Sequence, residues 1–320
     1  SLIRFVKSLF RMNFLVVGIM LVMETEYVHY YICPMHTVFF FLVWGLTYPF
    51  REYHHTHSWV VWAKLFVGLI FCATFWLNDF LFDAVFRWFP FLYYEGSLHE
   101  WQFRSGLDRF ATLFGMVFAF VYPDLEKILF QLDEMGFQGT IIKSIITAFF
   151  SFVLYVWWIT LGTMEKYAYN SWHPYTSIIP IVSIIFVRNM FPRLRKYYLW
   201  GFSWIGKITL ETYLLQFHLM LNNNNKQIVN FFDDYPNLNF LFTWLLLLGM
   251  AHQAFKCTVV LSEFIYPYSL TSRQVITHTS LLCVFSLFFV FLALFSSYLA
   301  ASTSVLWFFW LLVFVGLVNY

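Results

Sequence analysis

Stretches of roughly 20 mostly apolar residues, each long enough to cross a bilayer core as a helix, recur along the whole chain. They fall near 10–26, 34–50, 59–77, 106–123, 140–161, 174–191, 201–220, 238–256, 274–298 and 303–319. In lipid, backbone polar groups must be satisfied internally, so such runs are helices or strands of a closed barrel. No alternating pattern recurs every ten residues, which argues against a barrel. The expected fold is all-α: a polytopic membrane helix bundle of about ten transmembrane helices. Residues 1–320 are expected to form a single multi-span transmembrane domain, because no Pro/Ser/Gly-rich linker and no internal repeat divides them. The stretch 79–93 is apolar but broken by Asp79, Asp83, Arg87 and Pro90, and is expected as an interfacial or re-entrant helix.

Composition agrees. Hydrophobic residues make up 61% of the chain and charged ones only 11%, against about 25% charged in a soluble domain. That excludes a water-soluble enzyme and a disordered tail. A net charge of +2 is too mild for a polyanion surface, so no nucleic-acid partner is expected. The aromatic share of 24% suits lipid and its interfaces, making membrane lipid the first expected partner. Cys33, Cys72, Cys257 and Cys283 show no metal-finger spacing. His54-His55-Thr56-His57 resembles a metal tract, but no carboxylate or thiol completes a tetrahedral set, and no metal is expected.

The basic start at Arg4, Lys7 and Arg11, followed by apolar residues to Met23, has the outline of a signal peptide. No small-residue cleavage site follows, so a first span is expected. With the N-terminus placed in the cytoplasm, only Arg87, Arg104, Arg109, Lys166 and Lys226 of the 19 basic residues fall on the opposite side.

Charges inside spans are expensive and usually face an interior. Four constellations stand out. At 98–109, a continuous helix would set Glu100, Arg104 and Asp108 on one face at i, i+4 and i+8, with His99 and Arg109 beside them. This is either a structural ion ladder or part of a site. At 170–189, His173 adjoins Pro174 and Pro180, which free backbone carbonyls, and Arg188-Asn189 closes the span. At 206–218, Glu211 and His218 lie two turns apart on one face, while Thr212 and Gln216 pair at i, i+4. At 30–37, His36 opens the second span. His36, His99, Arg104, Asp108, Arg109, His173 and His218 all fall toward the non-cytoplasmic ends of their spans. Arg188, Arg193, Arg195 and Lys196 gather at the opposite face, as a positive-inside signal or as a phosphate site.

The motifs YYICPMHT (30–37), LHEWQFRSGLDR (98–109), HPYTSIIPI (173–181), RN (188–189) and GKITLETYLLQFH (206–218) resemble the multi-span domain of the Cas1p-type O-acetyltransferases. That family includes the plant reduced-wall-acetylation proteins and the membrane part of the sialic acid O-acetyltransferase. The resemblance runs from about Met12 through the eighth span and more weakly beyond. The plant type is the nearer likeness, because the other members carry a luminal hydrolase-like domain for which this chain is expected to have no room. The Asn222–Asn225 run and the sequence after Ser262 depart from the pattern, without touching an ionisable motif residue.

The resemblance implies acetyl-CoA as donor substrate, a glycan hydroxyl as acceptor and the Golgi as location. For that chemistry a neutral histidine, His99 or His36 with His218 close behind, is expected to take the proton of the acceptor hydroxyl. Glu211 would orient His218, Arg104 or Arg109 would stabilise the oxyanion, and Asp108 would belong to the same catalytic group. His173, Glu100, Thr212, Gln216 and Asn189 would contact the acceptor, and Arg188, Arg193, Arg195 and Lys196 the donor phosphates. A variant has the spans pass acetyl groups to a separate luminal transferase. Two rivals come from other classes. One is a non-catalytic structural subunit of a larger membrane complex in another organelle membrane. The other is a transporter relaying protons along Glu211 and His218, though no broken helices recur in two matching halves.

Overall fold

A computed structural model describes residues 2–298 except 24, 55 and 223–226. The tenth expected span, 303–319, and the residues from 223 to 225 of the asparagine run lie outside the described residues. The helices are α1 (Leu2–Met23), α2 (Ile32–Thr47), α3 (Ser58–Leu77), α4 (Asp79–Phe86), α5 (His99–Leu107), α6 (Ala111–Glu134) and α7 (Gly136–Trp157). Then follow α8 (Lys166–Thr176), α9 (Ile178–Asn189), α10 (Pro192–Lys196), α11 (Trp200–Lys207) and α12 (Thr209–Leu219). A two-residue hairpin pairs β1 (Leu221–Asn222) with β2 (Gln227–Ile228), before α13 (Pro236–Ile265) and α14 (Ser272–Tyr298).

The bundle is thus helical, and each of the other expected spans coincides with one helix or a broken pair. Among the described residues, three segments are long and apolar enough to cross a membrane: Ser58–Leu77, Gly136–Gly162 and Pro236–Ile265. Ile32–Thr47 and Ile178–Asn189 are shorter apolar helices. The chain packs as two compact units. One joins residues 1–37 to those from 200 onward, and the other is Val38–Leu199.

In the first unit α1 packs on α13 and α14, and α12 lies along α13. The expected span 201–220 is broken at Ile208, whose φ of −106° and ψ of 14° end α11 and restart the chain as α12. Ile208 is fully buried against Leu248 and Ala251, with Trp204, Leu215 and Phe255 around them. Helix α13 runs well past the expected end at 256. Thr258 and Ser262 return their hydroxyls to the carbonyls of Phe255 and Val259, so these polar side chains do not interrupt the apolar packing.

In the second unit α3, α4 and α5 share an aromatic core of Phe75, Trp76, Phe82, Phe86 and Trp101. Asn78 ends α3 and caps α4, its side chain accepting the Leu81 N–H at 3.1 Å. Between α6 and α7 the whole turn is Met135-Gly136, with Gly136 at φ 59°, a conformation glycine adopts without strain. Gly139 then lets the two helices close up, since a Cβ there would stand 1.8 Å from the Leu132 carbonyl oxygen. Helix α7 packs on α9 through stacked Phe150 and Phe186, ring centroids 4.4 Å apart, and ends in a π-helical turn, Trp158–Gly162. The expected span 174–191 is broken at Ser177. Pro180 has no N–H to offer the Thr176 carbonyl, so the ladder cannot run on unbroken.

Candidate functional site

Each unit holds a polar cluster among its apolar helices, buried around Glu211 in the first and half-buried around His173 in the second. In the first unit, Glu211 of α12 is completely buried. Its Oε1 accepts hydrogen bonds from Arg11 Nη2 of α1 at 3.3 Å and from Thr258 Oγ1 of α13 at 3.2 Å. Arg11 Nη2 also donates to the Lys207 carbonyl at 3.1 Å, one of the acceptors left open where α11 stops. The Arg11 guanidinium lies 4.6 Å over the Phe255 ring. Glu211 Oε2 and Arg11 Nε are buried with no hydrogen-bond partner among the described residues.

Further along α12, His218 Nε2 is 2.5 Å from the Tyr30 hydroxyl, which also meets Thr25 Oγ1 at 2.9 Å. Tyr30 lies between the first two spans. Burial pushes its phenol above the ordinary value, and the Thr25 hydrogen bond offsets only part of that. The phenol therefore keeps its proton, and the His218 tautomer sets which of the two groups donates. Nearby, Tyr27 donates to Asn13 Oδ1 at 3.0 Å and Asn13 Nδ2 donates to Thr37 Oγ1 at 2.8 Å, joining α1 to the start of α2.

Two expectations for this segment are corrected. Glu211 does not orient His218. Seven residues separate them by about 10 Å of helical rise, and the carboxylate is already taken by Arg11 and Thr258. Nor does Thr212 pair with Gln216, because its hydroxyl donates to the carbonyls of Ile208 and Thr209 at 3.1 and 2.9 Å.

In the second unit, α5 packs on α8. Asp108 ends α5 with φ −108° and ψ 15°, outside the helical run. The expected three-membered ladder is therefore corrected to a pair. Arg104 Nε donates to Glu100 Oε1 at 2.5 Å, while Asp108 turns instead to His173 of α8, Oδ1 to Nε2 3.5 Å. The other ring nitrogen, Nδ1, is 2.9 Å from the Tyr169 hydroxyl, one helical turn earlier. Arg109, the next residue after Asp108, donates from Nη2 to the Tyr175 hydroxyl at 2.8 Å and from Nη1 to the Gly106 carbonyl at 3.3 Å. Its buried Nε has no acceptor among the described residues. Below these groups Trp76 Nε1 donates to buried Ser105 at 3.0 Å, and Gln102 donates to Asp79 at 2.8 Å, fixing α5 against α3 and α4.

His99 opens α5 with an exposed ring, and His36 is exposed on α2. Of the basic group, Arg195 is bound to Asp133, which also accepts from buried Lys143 at 2.7 Å. Asp133 lies beyond the fourth span. Burial alone would raise its pKa, but hydrogen bonds and charge from Lys143 and Arg195 outweigh that and hold it below the ordinary carboxylate range. Arg188 donates to Asn189 Oδ1 at 2.9 Å and to the Tyr197 carbonyl at 2.8 Å, and Asn189 donates to the Ile185 carbonyl at 2.8 Å. Arg193 and Lys196 are exposed. No group of three His, Cys, Asp or Glu side chains is placed to hold a metal among the described residues.

The sequence reading missed Arg11, Thr258, Tyr169 and Tyr175. Arg11 carried a signal, since an arginine inside an apolar span needs an acidic partner. Tyr169 stands one helical turn before His173, within reach along a single helix.

A helical bundle of this apolarity, with half-buried histidines tied to a carboxylate and a phenol, belongs to the polytopic helical membrane proteins. The family model described as the ten-span acyltransferase domain found in Cas1p matches residues 1–279, and the chain belongs to that family. The N-acetylneuraminate (7)9-O-acetyltransferase of Danio rerio is 32% identical over 281 residues, which are 83% of this chain and 36% of that protein. The chain thus spans about a third of the length of this curated relative. No solved structure matches it.

Proposed function

We propose that the protein transfers an acetyl group from cytosolic acetyl-CoA to a glycan hydroxyl on the luminal side of a membrane, that of the Golgi. The Asp108–His173 pair beside Arg109 carries this reading, because a carboxylate-held imidazole next to a guanidinium is what acyl transfer to a hydroxyl uses. Asp108 holds His173 by its Nε2–H. Nδ1, now facing Tyr169, takes the proton of the acceptor hydroxyl, directly or through the Tyr169 phenol. The acceptor oxygen attacks the thioester carbonyl, and the negative charge that develops on the carbonyl oxygen is met by the Arg109 guanidinium. The carbon–sulfur bond breaks, and the thiolate leaves with the proton from the imidazolium. His173 thereby takes the role expected of His99 or His36. His99, with Glu100 and Arg104, lines the approach of the acceptor. Arg193 and Lys196, exposed and basic, meet the donor phosphates.

The acceptor is a sugar hydroxyl, in keeping with the sialic acid acceptor in the fish relative's name. That relative's greater length favours a second reading, in which the spans hand acetyl groups to a separate luminal transferase or to a larger membrane complex. One experiment separates these readings. Purified protein in nanodiscs receives labelled acetyl-CoA and candidate glycans. Label on the sugar, lost in His173→Ala, supports direct transfer. Release of CoA without labelled sugar favours the relay. An absence of acetyl-CoA binding sinks both and leaves a structural subunit.

A further inference from the structure

We propose that the cleft between α7 and α9 is a binding site for an acyl chain of an anionic phospholipid, with Arg188 meeting its phosphate. The cleft has a volume of about 540 Å³. Leu154 and Tyr155 of α7, Trp158 of the π turn, Ile184 and Val187 of α9 and Leu194 of α10 form its wall. Arg188 supplies the charge on this wall.

A hydrocarbon wall gains little by choosing one lipid tail over another, since tails are as apolar as leucine. Selection has to come from the headgroup, and the charge around the cleft has one sign. The guanidinium is held in place by Asn189 Oδ1 and the Tyr197 carbonyl, which use two of its N–H donors and leave the others for a phosphate. Asp133, the carboxylate that meets α10, is already engaged by both Lys143 and Arg195. Exposed Tyr197, Tyr198 and Trp200 follow directly, the residue types that settle at headgroup depth. The pantetheine arm of CoA fits this cleft poorly, because its amides would find few partners on a wall whose polar groups besides Arg188 are those of Ser151, Tyr155 and Trp158. The cleft is therefore not the place of the pantetheine arm, and the proposal does not rest on the acetyl-transfer reading.

Native mass spectrometry of the full chain, released from nanodiscs of mixed phosphatidylglycerol and phosphatidylcholine, tests it. One guanidinium near the surface is worth about 1 kcal/mol, so wild type should retain phosphatidylglycerol about five-fold more than phosphatidylcholine. Arg188→Gln should lose the preference by removing the charge. Ile184→Trp, at an exposed wall position, should lose retention by filling the cleft, while Arg188→Lys keeps the preference and shows that the fold survives change at 188. Equal retention of the two lipids by wild type, preference surviving in Arg188→Gln, retention surviving in Ile184→Trp, or displacement of the lipid by added CoA would each overturn the proposal.

Discussion

The Tyr30 hydroxyl stands 2.5 Å from His218 Nε2, joining residues 188 positions apart in sequence. Thr25 is the hydroxyl's other partner, so the phenol ties the connection after α1 to the last turn of α12. Tyr30→Phe leaves both partners in place without the oxygen between them. Thermal unfolding in detergent should show a loss of about 1 kcal/mol, and a Thr25→Ala change on that background should add almost nothing.

Glu211→Leu leaves Arg11 near hydrocarbon without its anion. Breaking such a pair costs about 3 kcal/mol. The double variant Arg11→Met/Glu211→Leu should recover most of the loss, because no charge then remains to be neutralised. Denaturant unfolding of the single and double variants checks this, and equal destabilisation of both would refute it.

For the proposed chemistry, His173→Ala should lower acetyl transfer by about 10²-fold or more. Asp108→Asn should lower it too, because the amide cannot offer the imidazole a full negative charge. Steady-state rates on purified protein, normalised to the folded fraction, distinguish this from loss of folded material.

Asp133 is held below its ordinary pKa by Lys143 and Arg195, so the folded protein binds this proton less readily than the unfolded chain. The stabilisation is complete above the unfolded value of about 4, and is lost as pH falls through the lower folded value. Wild-type melting temperature should therefore drop more steeply below about pH 4 than that of Asp133→Asn. At neutral pH the variant should be the less stable of the two.

Gly139→Ala inserts a methyl group against the Leu132 carbonyl. Forcing α6 and α7 apart at that point should cost about 2 kcal/mol. Gly115→Ala, where the added Cβ meets nothing within 4 Å, is the control and should be neutral or stabilising.

Spans were legible because bilayer thickness dictates both their length and their apolarity. The interruptions were less so. Pro180 announces the break at Ser177, but nothing local announces the one at Ile208, which is set by burial against Leu248 and Ala251 and by the Arg11 contact with Lys207. The same limit applies to the candidate site. His173, Asp108, Glu211 and His218 stood out as polar groups in apolar surroundings, yet their pairing did not. Periodicity along a helix suggested Glu211 with His218 and Asp108 with Arg104. The actual partners come from other helices, 200 residues away for Glu211 and 65 for Asp108.

The first unit draws on both ends of the chain, with α1 at its start and α13 and α14 after the whole second unit. Synthesis runs in one direction, so α1 enters the bilayer long before the helices it packs on. Through that interval Arg11 has no Glu211 to meet, and a lone guanidinium in a membrane invites either retention near the headgroups or shelter by insertion machinery. The contiguous second unit can assemble meanwhile. Assembly of the first unit therefore waits until α13 and α14, made after the whole second unit, return to close around α1.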